Sequence, residues 1–245
     1  MIIEMLYPEV ANLHGDNANI TYLHQCRPDA TVIRTALTDT PAFATGPVDL
    51  LYLGPMPESA QLRVLARLRP YADRLAGRID DGMTCLFTHN AMEVLGDTLA
   101  TVDGAETPGL GLFPLRTSLH LLARYTGKVM GEAEGTVIVG YKAQFSQVHA
   151  DDALPGFLVA ERGVGRTPYT AVEGVRRANF IGTSLLGPLL ITNPDFTCAL
   201  QRLMDPAATP HLAHEDLVRK AYAARLADFT DPARWSATER VVSAR

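Results

Sequence analysis

The stretch MTCLFTHNAMEVLG, residues 83–96, holds Cys85, His89 and Glu93 four residues apart. An apolar run stops at Thr88-His89-Asn90 and a helical pattern follows. A strand that turns sharply into a helix presents its apex residue in the open, where many α/β enzymes place a nucleophile. Histidine at such an apex can serve as base, metal ligand or covalent nucleophile. His89 and Glu93 would share one helix face and could form an acid–base pair or a weak metal site. Pairs with that spacing also arise on solvated helix faces. Cys85 lies in the strand, about 13 Å of extended chain before the apex, and reads as a small buried core residue.

The surrounding elements must position that turn. IIEMLY is a strand (residues 2–7), a helical stretch covers residues 19–26, and ATVIRTAL is strand-like. VDLLYLG is a continuous apolar run, as expected of a strand buried on both faces of a parallel sheet. ESAQLRVLARLRPYADRLAG spaces Leu62, Val64, Leu65, Leu68 and Leu75 as one apolar helix face, with Pro70 predicting a break. MTCLFT is the next strand and residues 90–97 the next helix. Strands alternating with helices predict an α/β, doubly wound, mainly parallel sheet. The second half, rich in β-branched residues and glycine, predicts antiparallel additions. NPDFTCALQRLMD opens with a capping Asn193 and Pro194, so it is a helix. Residues 215–229 form a last helix, followed by a polar tail.

With 245 residues, 47% of them apolar and 20% charged, the chain has the composition of an ordinary globular protein. A net charge of −5 gives no electrostatic case for nucleic acid or anionic membrane. No apolar run reaches the roughly 20 residues of a membrane span, and the start lacks a signal-peptide pattern. Three cysteines without a CxxC spacing predict a reducing, cytoplasmic setting, with no zinc site. No cofactor and no metal are expected.

Four segments, in order, resemble the class I glutamine amidotransferase domains of the cobyric acid synthase type: LYPEVANLHGDNANI, VDLLYLGPMPESAQ, MTCLFTHNAMEVLG with PGLGLFPLRT, and EGVRRANFIGTSLLGPLLITNP. They look most similar to the small glutaminase subunits that pair with a Mur-ligase-like protein. The resemblance spans about residues 4–205 and implies a flavodoxin-like fold. It divides the chain into an amidotransferase-like domain, 1–205, and a helical appendage with a tail, 206–245.

The resemblance implies a cysteine thiolate, a histidine base and an oxyanion hole, which together form and hydrolyse a thioester. Aligned on EVLG, the nucleophile position is His89, and the glycines after it are Asn90 and Ala91. In GTSLLGPLL, Leu186 stands where the base belongs. In the glycine-rich oxyanion turn, Gly54 is followed by Pro55, which has no N–H. Where the family has an acid and a histidine, GYKAQ carries Lys142 and Gln144 after Tyr141, a change expected to alter the substrate side of the pocket or the route to a partner.

These replacements predict a catalytically degenerate subunit of a Mur-ligase-like or other amide-forming synthetase, whose pocket is vestigial or senses a small-molecule ligand. Two alternatives stay open: altered chemistry using His89 with Glu93, Asp97 or His120, and an ordinary glutaminase if the alignment is shifted. Other motifs are weaker. HLAHEDL sets His211 near an acidic helix start; GVGR is a hairpin turn; HGDNAN is structural or faces a partner.

Overall fold

The computed structural model describes residues 1–236 apart from Asp103, Ala123 and Asp152. The expected polar tail beyond that point lies outside the described residues. The first half contains β1 (Ile2–Leu6), α1 (Ala18–Cys26), β2 (Thr31–Thr35), α2 (Ala42–Thr45), β3 (Leu50–Leu53), α3 (Glu58–Leu68), α4 (Ala72–Asp80) and β4 (Thr84–Thr88). The second half contains β5 (Thr98–Ala100), β6 (Glu106–Pro108), β7 (Leu115–Leu119), β8 (Tyr125–Ala133), β9 (Thr136–Gln144), β10 (Ser146–Ala150), β11 (Leu158–Arg162), β12 (Val172–Glu173), β13 (Val175–Arg177) and β14 (Phe180–Thr183). Helices α5 (Leu189–Thr192), α6 (Pro194–Met204) and α7 (Glu215–Thr230) follow.

The central sheet runs β2–β1–β3–β4–β14, all parallel, with β13 antiparallel at one edge. This is the flavodoxin-like winding order, in which ligands sit beyond the carboxyl ends of the strands. Both faces are covered, so the strands read as apolar runs. Leu51, Leu53, Cys85 and Phe87 enter one core, while Leu50, Tyr52 and Leu86 enter the other. The antiparallel additions form two further sheets, β10–β7–β5–β6 and β12–β11–β8–β9.

Pro70 ends α3 in a 3-10 turn, Arg69–Tyr71, before α4 begins, so the pattern splits into two helices. Val64, Leu65, Leu68 and Leu75 are buried as the spacing requires, but Leu62 is 39% exposed. It lines a surface groove with Val102 instead of the core. The helix expected over 90–97 is a 3-10 helix, His89–Leu95, with all seven residues buried.

Helix α7 lies on β8 and β9, where Phe229, Tyr222 and Leu226 meet Met130 and Val139. Arg162, fully buried, donates to the carbonyls of Asp228, Phe229 and Arg234, groups that a helix end leaves without intrahelical partners. Among the described residues no helix is long and apolar enough to cross a membrane.

Candidate functional site

β4 ends at Thr88, and the chain turns at His89, whose φ of +53° is left-handed. For a non-glycine residue this costs about 1–2 kcal/mol and persists only where the surroundings enforce it. The enforcement comes from below. The carboxylate of Asp16, on the loop between β1 and α1, accepts from Thr88 Oγ1 at 2.5 Å and from the Tyr52 hydroxyl. Asn19, in the first turn of α1, accepts from the Leu190 N–H at 2.9 Å, tying the start of that helix to the chain after β14. A Cβ on Gly187 would stand 1.7 Å from Asp16 Oδ1, so only glycine lets the loop and that segment meet. Burial pushes the Asp16 carboxyl above its usual range, against the pull of its Thr88 and Tyr52 donors.

Above the turn lies a cavity of about 230 Å³, whose lining includes His89, Asn90, Glu93, Gln61, Gln144 and Ser146. His89 Nε2 sits 3.2 Å from the Ala143 carbonyl. A carbonyl only accepts, so Nε2 carries the proton, and neutral His89 presents Nδ1 as an acceptor. Nδ1 is buried without a hydrogen-bond partner. Burial pulls the imidazole below its usual range, keeping it neutral, although the Ala143 carbonyl and the nearby Asn90 amide oppose this. The Glu93 carboxyl is pushed up to about 7 by burial, offset by Ser146 Oγ at 2.5 Å and Gln61 Nε2 at 3.3 Å. Gln144 Nε2 donates to the Ser146 carbonyl at 2.9 Å, leaving Oε1 buried and unpartnered.

The loop after β3 is closed by a side chain. Met56 N–H donates to Asn90 Oδ1 at 3.0 Å, and Asn90 Nδ2 returns a bond to the Met56 carbonyl at 2.7 Å. Pro55 offers no N–H, and its carbonyl accepts from Leu13. Gly54 is pinned because a Cβ there would stand 2.7 Å from the Ala11 carbonyl. An anion at this turn would find no free backbone donor on Pro55 or Met56.

Of the residues singled out in the sequence, His89, Asn90, Glu93 and Gln144 meet at the cavity, while Gly54, Pro55, Tyr141 and Leu186 do not line it. Leu186 is half-buried and donates its N–H to the Tyr141 carbonyl at 2.8 Å; Tyr141 itself is 39% exposed. Asp97 and His120 also stay outside the cavity, and His120 bonds to Ser118 on the surface. Cys85 is fully buried, its Sγ 3.6 Å from the Met83 carbonyl, and burial holds the thiol far above its usual range.

Lys142 is not among the residues that line the cavity: it is completely buried, 3.3 Å from Glu173 and donating to the Gly165 carbonyl at 2.6 Å. The alternation of β9 sends Lys142 to one face and its neighbours Tyr141 and Ala143 to the other. Asp16, Gln61, Ser146 and Arg124 belong to the site or its support without having been singled out individually. Asp16 lay within the polar HGDNAN cluster after β1, and Gln61 interrupts an apolar helix face; Ser146 and Arg124 carried no signal. GVGR is a turn, whose Arg166 caps the carbonyls of Leu154, Pro155 and Gly174. The His211 backbone N–H donates to Gln201 Oε1, and its ring Nδ1 lies 3.3 Å from the Cys26 carbonyl.

Comparison with known proteins places this geometry. The chain is 28% identical over 190 residues, 76% of each chain, to the lipid II isoglutaminyl synthase (glutamine-hydrolyzing) subunit GatD of Staphylococcus aureus. Its fold is similar to that of PurLQS from Thermotoga maritima, with a TM-score of 0.52 at 14% identity over 92% of this chain and 98% of that one. A solved glutamine amidotransferase gives a TM-score of 0.55 at 12% identity, over 82% of this chain and 98% of the other. Residues 2–194 match the CobB/CobQ-like glutamine amidotransferase domain, and the chain belongs to that family.

Proposed function

We propose that the chain is a non-catalytic glutamine amidotransferase subunit that acts as the partner of a Mur-ligase-like or other amide-forming synthetase in the cytoplasm. One observation carries the reading: the strained turn is retained while its apex is His89, a side chain that cannot form the thioester of a cysteine glutaminase. Supporting it, Leu186 has no proton to exchange, Pro55 has no N–H, and Asn90 occupies the Met56 N–H. Cys85 does not substitute, because a thiol buried in β4 with its pKa pushed up offers no thiolate. The relative from Staphylococcus aureus is a subunit of a synthase, which supports a synthetase partner and a cell-wall role. The family match ending at residue 194 supports dividing the chain into 1–205 and a 206–245 appendage.

The test is glutamate release from glutamine by the purified chain, alone and with the ATP-dependent ligase encoded beside it. The reading expects no release above background and a stoichiometric complex with that ligase. Turnover abolished by Cys85→Ala would overturn it and restore an ordinary glutaminase. A second reading, altered chemistry at His89, is favoured by its unpartnered imidazole nitrogen and by a carboxyl, Glu93, that lines the same cavity and is pushed up to about 7. A transition-metal titration that loses its binding in His89→Ala would support that reading.

A further inference from the structure

Helices α5 and α7 leave between them a groove of about 480 Å³ that shares no lining residue with the cavity above the turn. Along α7 its lining runs through Leu217, Val218, Ala221, Tyr222 and Arg225, the spacing of one helix face, and Ile191 of α5 stands opposite. Farther along α7, Tyr222, Leu226 and Phe229 are covered by β8 and β9. The groove end is not covered, with Leu217 69% and Ile191 37% exposed. A single exposed apolar side chain is ordinary, but these two line one concave space.

The charges around the groove are unevenly answered. Arg219 holds Asp195 and Glu215, each at 2.8 Å, while Lys128 and Arg234 hold Asp228. Arg225 is the one charged side chain in the groove lining among the described residues, and it is half-buried. No hydrogen bond or ion pair reaches it there; it stacks 5.7 Å from the Phe229 ring centroid. Lys128 and Arg162 lie against the same ring, at 5.4 and 5.5 Å, so three cations crowd one aromatic side chain. Burial pulls the Arg225 guanidinium below its usual range, and Asp228 offsets only part of that. A partly desolvated cation without a counterion favours an anion brought from outside.

We propose that this groove binds a free carboxylate carrying a linear apolar chain, its head paired with the Arg225 guanidinium and its chain laid along Leu217, Val218, Ala221 and Ile191. A guanidinium presents planar donors that match a carboxylate. The space equals roughly sixteen water-sized volumes, room for a chain of about ten carbons and its head. The charge does not favour a bilayer as the occupant. One guanidinium in a discrete groove, on a chain of net charge −5, is not the basic face that holds a helix to anionic lipid.

The test titrates decanoate, decan-1-ol, decylammonium and butyrate, each kept monomeric, into the full chain by calorimetry. Expected is saturable binding of one decanoate per chain, about tenfold or more tighter than decanol. Decylammonium should bind more weakly than decanol, and butyrate should fall about tenfold or more below decanoate for want of chain. Arg225→Gln should lower decanoate to the affinity of decanol and leave decanol unchanged, a split that loss of folding does not produce. Ala221→Trp, at an exposed position, should fill the groove and abolish binding of both. Equal affinity for decanoate and decanol, decanoate binding that survives Ala221→Trp, or no saturable decanoate binding overturns the proposal. So does capture of the chain by phosphatidylglycerol vesicles when decanoate fails to compete, which would assign the groove to a lipid surface.

Discussion

Glu93 and Glu173 are both fully enclosed carboxyls, yet they are answered in different ways. Glu173 meets a cation, Lys142, at 3.3 Å and also accepts from Thr183 Oγ1 at 2.8 Å and from the Ser184 N–H at 2.7 Å. Glu93 meets only neutral side chains and lines a cavity. Among the described residues no ion pair reaches it. A buried charge persists when it is paired and otherwise tends toward its neutral form. The first carboxyl therefore belongs to the architecture, joining β9, β12 and the end of β14. The second, pushed up to about 7, is poised between protonation states.

The largest effect that would test this contrast is the loss of Lys142. Lys142→Met leaves Glu173 buried without its cation and should cost about 3–5 kcal/mol in denaturant unfolding, whereas replacing both partners by apolar residues should recover most of that loss. If Lys142→Met proves neutral, the pair is not structural.

Next is the pH dependence of Glu93. Its folded pKa of about 7 lies above the ordinary glutamate value of 4.5, so its contribution is fully present below about pH 4.5 and is lost as pH rises through about 7. Between those limits the wild type should lose about 3 kcal/mol relative to Glu93→Gln. Parallel stability profiles for the two proteins would remove the contrast between the carboxyls.

Smaller still, Gly187→Ala should destabilise by about 1–3 kcal/mol, because the new methyl collides with Asp16. The smallest effect concerns the apex itself. At a φ of +53°, His89→Gly should be about 1 kcal/mol more stable than His89→Ala, reversing the usual order of these residues. The opposite order, measured by thermal unfolding, would mean that the turn is not strained.

Much of this molecule was legible in advance. The apolar runs of β3 and β4, the break at Pro70 and the start of α6 at Asn193-Pro194 rest on local rules, and the structure follows them, except that the Asn193 side chain pairs with the Val139 backbone of β9 instead of capping the helix. The helix after His89 was not legible as a 3-10 helix, because its winding comes from complete burial between the central sheet and the antiparallel additions. Leu62 fits the helix face by spacing but falls at its margin, where a groove replaces the core. Lys142 shows the deeper limit. Its place beside the cavity residues in the chain suggested a pocket role, but strand alternation and a partner 31 residues away turned it inward.

The sequence by itself determined the family pattern, the winding of the sheet, and the alternation of apolar strands with helical segments. Those are properties of residue type and order, readable without coordinates. Only the tertiary structure decided that Asn90 closes the Met56 N–H and that Asp16 holds the turn from below. These contacts join residues from 34 to 72 positions apart. No local pattern encodes them, because they depend on which strand ends the sheet brings together.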